Sequence, residues 1–355
     1  MPTYINPAEY IIQLVNTDFA QDQTEASERL RNLQETWNRS QQATQLQSRL
    51  GPNGQQSAPL VLDHTNLSAS PYSLPLTLMH RSFIKSYRDI VAYGIRIAMY
   101  ICLAIMMGTV WLRLSPTQSN ITAFTNAIFF GGAFMSFMAV AYIPAYLEDL
   151  SLYTKERLNG LYGPTSFLLA NFLVGIPYLF LIAVLFSVVA YWLGNFRPGA
   201  DAFWTWVMWL FLDLLAAESL VVLLSSLIPI FVVALAATAF ANGLWMCVNG
   251  FMVEPGTLNV FWRYVFHYID YQAYVFRGMM VNEFGKRNYA CEVVEGACRC
   301  MYESRLQDQC LIEGKAVLGR YGYKEGEVGK YVGYMLVIVF GYRILGWVVL
   351  YLRKH

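Results

Sequence analysis

Charge is what this sequence has least of. Asp, Glu, Lys and Arg make up 14% of its 355 residues, where a soluble domain carries about a quarter. That deficit excludes an ordinary water-facing surface. The charges also nearly cancel, leaving a formal net charge of +1, so the basic stripe that marks a nucleic-acid partner is missing. No G-x-x-x-x-G-K-[ST] loop is present to cradle a phosphate. No Ser/His/Asp constellation and no metal-spaced cluster can be read either, so no residue here is a candidate for catalysis or for a metal. Met1 is not followed by a basic stretch and an apolar core, so no cleavable leader is read. The first apolar span is expected to direct insertion itself.

What is present is apolar. Hydrophobic residues reach 56% and the mean hydropathy is +0.37, which points to an integral, multi-pass, all-α membrane protein. A helix needs about 20 mostly apolar residues to cross a bilayer. Six windows qualify: 91–112, 121–144, 165–193, 203–227, 230–252 and 331–352. Pro177 in the third predicts a kink. Residues 1–76 are a different material, polar and Gln-rich, broken by Gly51-Pro52, Pro59, Pro71 and Pro75. Within them Pro7–Val15 has a short amphipathic pattern, 21–50 suits a polar helix, and 51–76 reads as a linker. Residues 77–90 place Leu78, Phe83, Ile84 and Tyr87 on one side and His80, Arg81, Lys85 and Arg88 elsewhere, the pattern of a helix lying in the membrane interface.

Lys and Arg in the short connections set the orientation. Arg81, Lys85 and Arg88 precede the first span, Lys155 and Arg157 join the second to the third, and Arg353-Lys354-His355 follow the sixth. Both termini are therefore expected in the cytosol, and 254–330 outside or in a lumen. Cys291, Cys298, Cys300 and Cys310 then lie in an oxidising compartment, where disulfides are favoured. Three pairings within the loop are open, a bridge to a second copy is another, and a zinc site is the rival reading; Cys298 and Cys300 are too close to bridge easily. Asn120-Ile121-Thr122 is a glycosylation candidate on the same side, whereas the sequons at Asn38 and Asn66 should be silent.

Three groups of residues stand out. Asp213 and Glu218 lie inside the fourth span, where a carboxylate is costly and points to a cavity or a partner; five residues apart, they sit about 140° apart around a helix. The short connection between spans two and three carries Glu148, Asp149, Lys155, Glu156 and Arg157. It reads as a charged loop pressed against the membrane, either a docking elbow or a solvated turn. Phe134, Phe137, Met138 and Asn126 in span two, with Asn242, Met246 and Asn249 in span five, mix aromatic, thioether and amide groups. Such a lining suits flat, greasy molecules, with ordinary helix packing as the alternative.

A run of motifs resembles the membrane domain of G-subfamily ABC transporters, the half-size White type most closely. It consists of KERLNGLYGPTSFLLANFLVGIPY at 155–178, Ala217-Glu218-Ser219-Leu220 followed by Pro229, Asn249-Gly250-Phe251, Phe261-Trp262-Arg263-Tyr264 and Asn282-Glu283-Phe284. The resemblance spans residues 76–355, and Asn6-Pro7-Ala8-Glu9-Tyr10 is similar to the segment that follows the nucleotide-binding domain in that family. It implies an ABC-2 type transmembrane fold working as a homo- or heterodimer. It implies an interfacial helix at 77–90, a coupling elbow at Lys155, Glu156 and Arg157, and an outer loop with disulfides. It also implies a substrate cavity at Phe134, Phe137, Asn242, Gly243 and Met246, below an apolar plug of Phe251 and Met252. The ATP-binding half has no counterpart in this sequence. ATP and Mg²⁺ are therefore expected on a nucleotide-binding domain in cis or in trans, and not on these residues.

The resulting expectation is the permease part of an exporter, in the plasma membrane or an internal one, moving lipidic or amphipathic cargo by alternating access. Residues 1–76 are a cytosolic remnant or linker after the nucleotide-binding domain, and 77–355 form the membrane domain. The alternatives are a truncated fragment without its own activity and a non-transporting dimerisation partner of a complete half-transporter.

Overall fold

The computed structural model describes residues 10–12, 15–17, 22–50, 73–89, 93–294 and 297–353. Most of the 51–76 linker, the Asn66 sequon, most of Pro7–Val15, the start of the first span window and Lys354-His355 lie outside the described residues. The chain divides into two units, residues 1–68 and 69–355.

The first unit holds two polar helices, α1 (Gln23–Asn38) and α2 (Gln41–Leu50). Asp22 begins α1 by accepting the backbone N–H groups of Thr24 at 2.9 Å and Glu25 at 3.3 Å, which satisfies two otherwise orphaned donors. The single helix read over 21–50 is broken because Ser40 caps a second one, its Oγ accepting from the Ala43 N–H at 3.1 Å.

The second unit is a bundle of apolar helices. It comprises α3 (Ser73–Arg88), α4 (Ile95–Val110), α5 (Ile121–Met138), α6 (Ile143–Leu158), α7 (Pro164–Leu193), α8 (Ala200–Leu227) and α9 (Phe231–Val248). After these come α10 (Tyr271–Phe284), α11 (Gly314–Arg320) and α12 (Val328–Leu352). Among the described residues five helical stretches are long and apolar enough to cross a membrane, and α4 is a shorter sixth. A four-residue 3₁₀ turn, Ala139–Tyr142, welds α5 to α6, so one helical rod runs over Gln118–Leu158.

The short charged loop expected between spans two and three is therefore mostly helix. Its charges line the last turns of a span rather than a turn between spans. The reversal is confined to Asn159–Gly163, where Gly160 adopts φ +73° and Pro164 opens α7 at a position that needs no N–H. Pro177 sits inside an unbroken α7.

At the centre stands α8. Of its most apolar window 78% is buried, against 33% in α7, and it packs against α5, α6, α7, α9, α10 and α12. A helix apolar on every side belongs in an interior. The segment 254–330 is also more than an outer loop. Its helix α10 buries Tyr271, Met279, Met280 and Phe284 completely and packs against α8 and α5, with its polar Gln272, Asn282 and Glu283 hydrogen-bonded inside the fold. Trp209 of α8 lies so close to α10 that a side chain at Gly278 would meet its ring at 2.1 Å.

Beyond α10, β1 (Asn288–Ala290) pairs antiparallel with β4 (Leu311–Glu313), and β2 (Glu292–Val294) pairs with β3 (Ala297–Arg299). Disulfides join Cys291 to Cys300 and Cys298 to Cys310, with Cα separations of 4.9 and 5.5 Å, in the range such bridges need. This selects one of the three pairings left open by the sequence. It also leaves no thiol in the loop for zinc or for a second copy.

Gly278→Ala is expected to cost about 1–3 kcal/mol, the usual result of overpacking a core. A thermal melt of the detergent-solubilised protein reads this as a lowered midpoint. An unshifted melt would show that α8 and α10 do not meet this closely.

Candidate functional site

The elbow is built from both sides. The Arg81 guanidinium of α3 meets the Glu156 carboxylate of α6 at 2.6 Å, and the Tyr162 hydroxyl donates to the same carboxylate. One turn along α3, Lys85 meets Asp149 at 2.7 Å and Glu148 at 3.4 Å. Burial alone lowers the affinity of the Lys85 ammonium for its proton. The Asp149 hydrogen bond and the two carboxylate charges more than reverse this, so its pKa is held above the ordinary lysine range. Arg157 turns the other way. It donates to the carbonyls of Leu350 and Tyr351 at the end of α12 and to the Tyr153 hydroxyl. Those carbonyls are the orphan acceptors of a helix C-terminus, where a cation is favoured. Lys155 alone of the three elbow residues is exposed. Glu156 thus ties the elbow to the interfacial helix, and Arg157 ties it to the last span.

Deeper in the bundle lies a ring of polar groups. Arg96 of α4 and Glu218 of α8, each side chain only 2% exposed, pair at 3.0 Å. The Arg96 guanidinium also lies over the rings of Tyr142 and Tyr178, 4.9 and 5.2 Å from their centres. Gly175 of α7 makes room, since a side chain there would approach Glu218 Oε1 to 3.1 Å. The Tyr142 hydroxyl accepts from Asn171 at 2.6 Å, and Asn171 Oδ1 accepts from Arg343 of α12 at 3.2 Å. Arg343 Nε then donates to Ser219 at 3.0 Å, and Ser219 adjoins Glu218. The ring closes through α4, the Tyr142 turn, α7, α12 and α8.

Asp213 stands apart from this ring, fully buried, with no hydrogen-bond partner for either oxygen among the described residues. Arg96, Arg343, Asn171 and Tyr142 were not singled out from the sequence. The signal was available for the two arginines, since a lone charge in an apolar window is expensive whatever its sign.

The proposed cavity residues lie on α5 and α9, which pack together. Phe134 stacks on Phe130 at 4.1 Å, with Phe137 beyond it at 6.3 Å. Phe134, Phe137, Gly243 and Met246 are half-buried, and Gly243 faces open space where a side chain would stand. Asn242 is fully enclosed, accepting from the Tyr271 hydroxyl at 2.6 Å and donating to the Thr238 carbonyl at 3.1 Å. It is therefore committed to α10. After α9, Asn249 accepts from the Phe251 N–H at 3.0 Å and Gly250 takes φ +98°, a turn that only glycine makes readily. That turn lays Phe251 flat on Phe129 of α5 at 4.1 Å, while Met252 stays 59% exposed. Asn120, at the start of α5, holds its side-chain nitrogen on Ser115, at 3.0 Å from the carbonyl and 2.8 Å from the hydroxyl.

Comparison with known proteins places this geometry in context. A family model described as ABC-2 type transporter matches residues 75–284. ABC transporter G family member 1 of Petunia hybrida is 31% identical over 291 residues, covering 80% of this chain and 46% of that protein. ABC transporter G family member 11 of Arabidopsis thaliana is 31% identical over 224 residues, covering 63% of this chain and 32% of that protein. ABC transporter G family member 13 of Arabidopsis thaliana is 27% identical over 280 residues, 78% of this chain and 39% of that protein. The chain thus spans between a third and a half of the length of these relatives.

Removing one partner of the buried pair should be severe. Arg96→Gln, which leaves Glu218 enclosed and unpaired, is expected to cost about 3–5 kcal/mol of stability. The double variant Arg96→Met with Glu218→Met should recover most of it. Melting midpoints of the two singles and the double measure the coupling. Simple additivity would show that the two side chains do not act as a pair.

Proposed function

Because this chain belongs to the ABC-2 type transporter family, as a membrane domain of the G-family kind, we propose that it is the permease of an exporter for lipidic or amphipathic molecules. The observation that supports this best is the single helical rod Gln118–Leu158. At 1.5 Å per residue a 41-residue helix is about 60 Å long, roughly twice the hydrocarbon thickness of a bilayer. Phe134 and Phe137 sit near its middle, and one end is the elbow, gripped by α3 through Glu156 and by the end of α12 through Arg157. A push on the elbow is therefore carried along the helix, through the 3₁₀ turn Ala139–Tyr142, to the aromatic face.

In this reading the half-buried faces of α5 and α9 meet a second subunit, identical or related. Together they enclose a cavity lined by Phe134, Phe137, Gly243 and Met246. Asn242 acts one step back, by positioning α10 through Tyr271. Phe251 and Met252 close the end of the cavity that the Gly250 turn caps. ATP and Mg²⁺ act on a nucleotide-binding domain joined in cis or bound in trans. These residues contribute no phosphate loop, and among the described residues no metal-ligating cluster is found, so none is assigned to the nucleotide.

Nucleotide binding does work on the elbow only through a difference in affinity between two arrangements of the helices. The Arg96–Glu218 ring, which joins α4, α7, α8 and α12, is the element whose rearrangement distinguishes those states. Both termini lie in the cytosol and the disulfide-bearing segment on the far side of the membrane, most simply the plasma membrane.

The elbow role has a direct test. When the chain is expressed with its ATPase, Glu156→Ala should reduce efflux of a fluorescent phospholipid analogue at least about fivefold, the lower end of ordinary coupling energies. Surface amounts should be unchanged. The charge exchange Arg81→Glu with Glu156→Arg should restore part of it. Unchanged efflux by Glu156→Ala would remove the elbow from the mechanism.

A further inference from the structure

We propose that the cleft between α10 and the loop end of α12 binds the anionic head of a membrane amphiphile, with its chain lying along α12. This site is separate from the α5/α9 surface and does not depend on the transport reading. The cleft encloses about 550 Å³. Its upper part gathers three cations, Arg277, Lys324 and Lys330, against one carboxylate, Glu327. That carboxylate is already engaged, accepting from the Tyr331 hydroxyl and lying 3.8 Å from Lys330. The neighbouring Glu325 is occupied by Lys315 at 3.0 Å.

Arg277 is held as a receptor would hold it. Its guanidinium lies between the rings of Tyr323 and Tyr331, 4.8 and 5.1 Å from their centres. One nitrogen donates to the Tyr331 hydroxyl at 3.1 Å. Its Nε is buried without a partner among the described residues, and no carboxylate there comes within ion-pair distance of it. A planar guanidinium fixed by stacking, with donors unspent, suits a carboxylate or phosphate. Lys324 is exposed and has no ion pair among the described residues.

The lower part of the cleft is apolar. Tyr334, Val337 and Ile338 of α12 line it, and Val337 is 70% exposed. Val337 lies nine residues past Val328, about 14 Å down the helix axis. Tyr268, Tyr274, Tyr331 and Tyr334 ring the boundary between the two parts, as tyrosines do at the level of lipid head groups. A neutral lipid would leave the cations unmatched. A free anion would leave the apolar floor uncovered. An anionic amphiphile satisfies both.

The test uses the full chain in phosphatidylcholine nanodiscs and a fatty acid bearing a photoreactive diazirine on its chain, with its methyl ester as the neutral counterpart. The acid should label α12 around Tyr334–Ile338, and the ester should label it several-fold less. Lys324 and Lys330 are both exposed, so their exchange for glutamine leaves the packing alone. The double variant Lys324→Gln with Lys330→Gln should weaken labelling by the acid roughly twentyfold, about fivefold for each cation lost near the membrane surface. Excess inorganic phosphate should not displace the acid. Equal labelling by acid and ester, or undiminished labelling of the double variant, would overturn the proposal. Complete displacement by phosphate would overturn it too, by reducing the cleft to an ion site.

Discussion

A guanidinium and a carboxylate cannot be left alone among hydrocarbon side chains, and Arg96 and Glu218 are fully enclosed. Each ion gives up several kcal/mol of hydration. Their attraction offsets this only if the remaining donors and acceptors also find partners. For Arg96 they do so only in part: its Nε and Nη1 have no hydrogen-bond partner among the described residues, and the guanidinium rests on the Tyr142 and Tyr178 rings instead. Tyr142, Asn171, Arg343 and Ser219 continue the ring through five parts of the chain far apart in sequence. Apolar groups of the same size commonly fill such a space with equal or greater stability. The ring is thus better understood as fixing which helices meet, and in which register, than as adding strength. α8 can be the hub of the bundle because two consecutive residues, Glu218 and Ser219, face two different arginines.

The elbow contacts are of another kind. Arg81–Glu156 and Lys85–Asp149 lie where water reaches them, and partly exposed ion pairs are commonly worth up to about 1 kcal/mol. Contacts of that size break and re-form readily, whereas the enclosed pair is costly to separate. The molecule therefore grades from water-exposed ion pairs at the end of the long helix to an enclosed ion pair near its middle.

The sequence made the bundle legible because hydropathy and length alone locate spans. It located the fourth span without indicating its centrality, since by mean hydropathy the peripheral α7 is the more apolar of the two, at 2.6 against 2.2 for α8. Charges misled at the elbow. Glu148 to Arg157 were read as a loop because they are polar, although they sit at the end of a helix whose charged faces find partners in α3 and α12. The long outer segment hid α10 for the opposite reason. Its apolar residues are diluted by Gln272, Arg277, Asn282 and Glu283, all of which have partners inside the fold. Glu218 was found because a carboxylate in a membrane window draws attention. Arg96 was not, though its cost is of the same kind. The cysteine pairing lay beyond reach, because even without a Cys298–Cys300 bridge two pairings of the four thiols stay open.

That pairing has a consequence for how the protein is made. The two bridges interleave, with Cys291 joined to Cys300 across Cys298, and Cys298 joined to Cys310 across Cys300. Bridges made in chain order would begin with Cys291–Cys298, which is not a native pair. Reaching the native pairing after such a start requires thiol–disulfide exchange, which is slow without an isomerase. The Cys291 N–H donates to the Cys310 carbonyl at 2.9 Å, which sets the two bridges side by side at the end of the β1–β4 ladder. The interleaved pairing thereby makes correct folding of this segment depend on thiol–disulfide exchange wherever the first bond forms between neighbours in sequence.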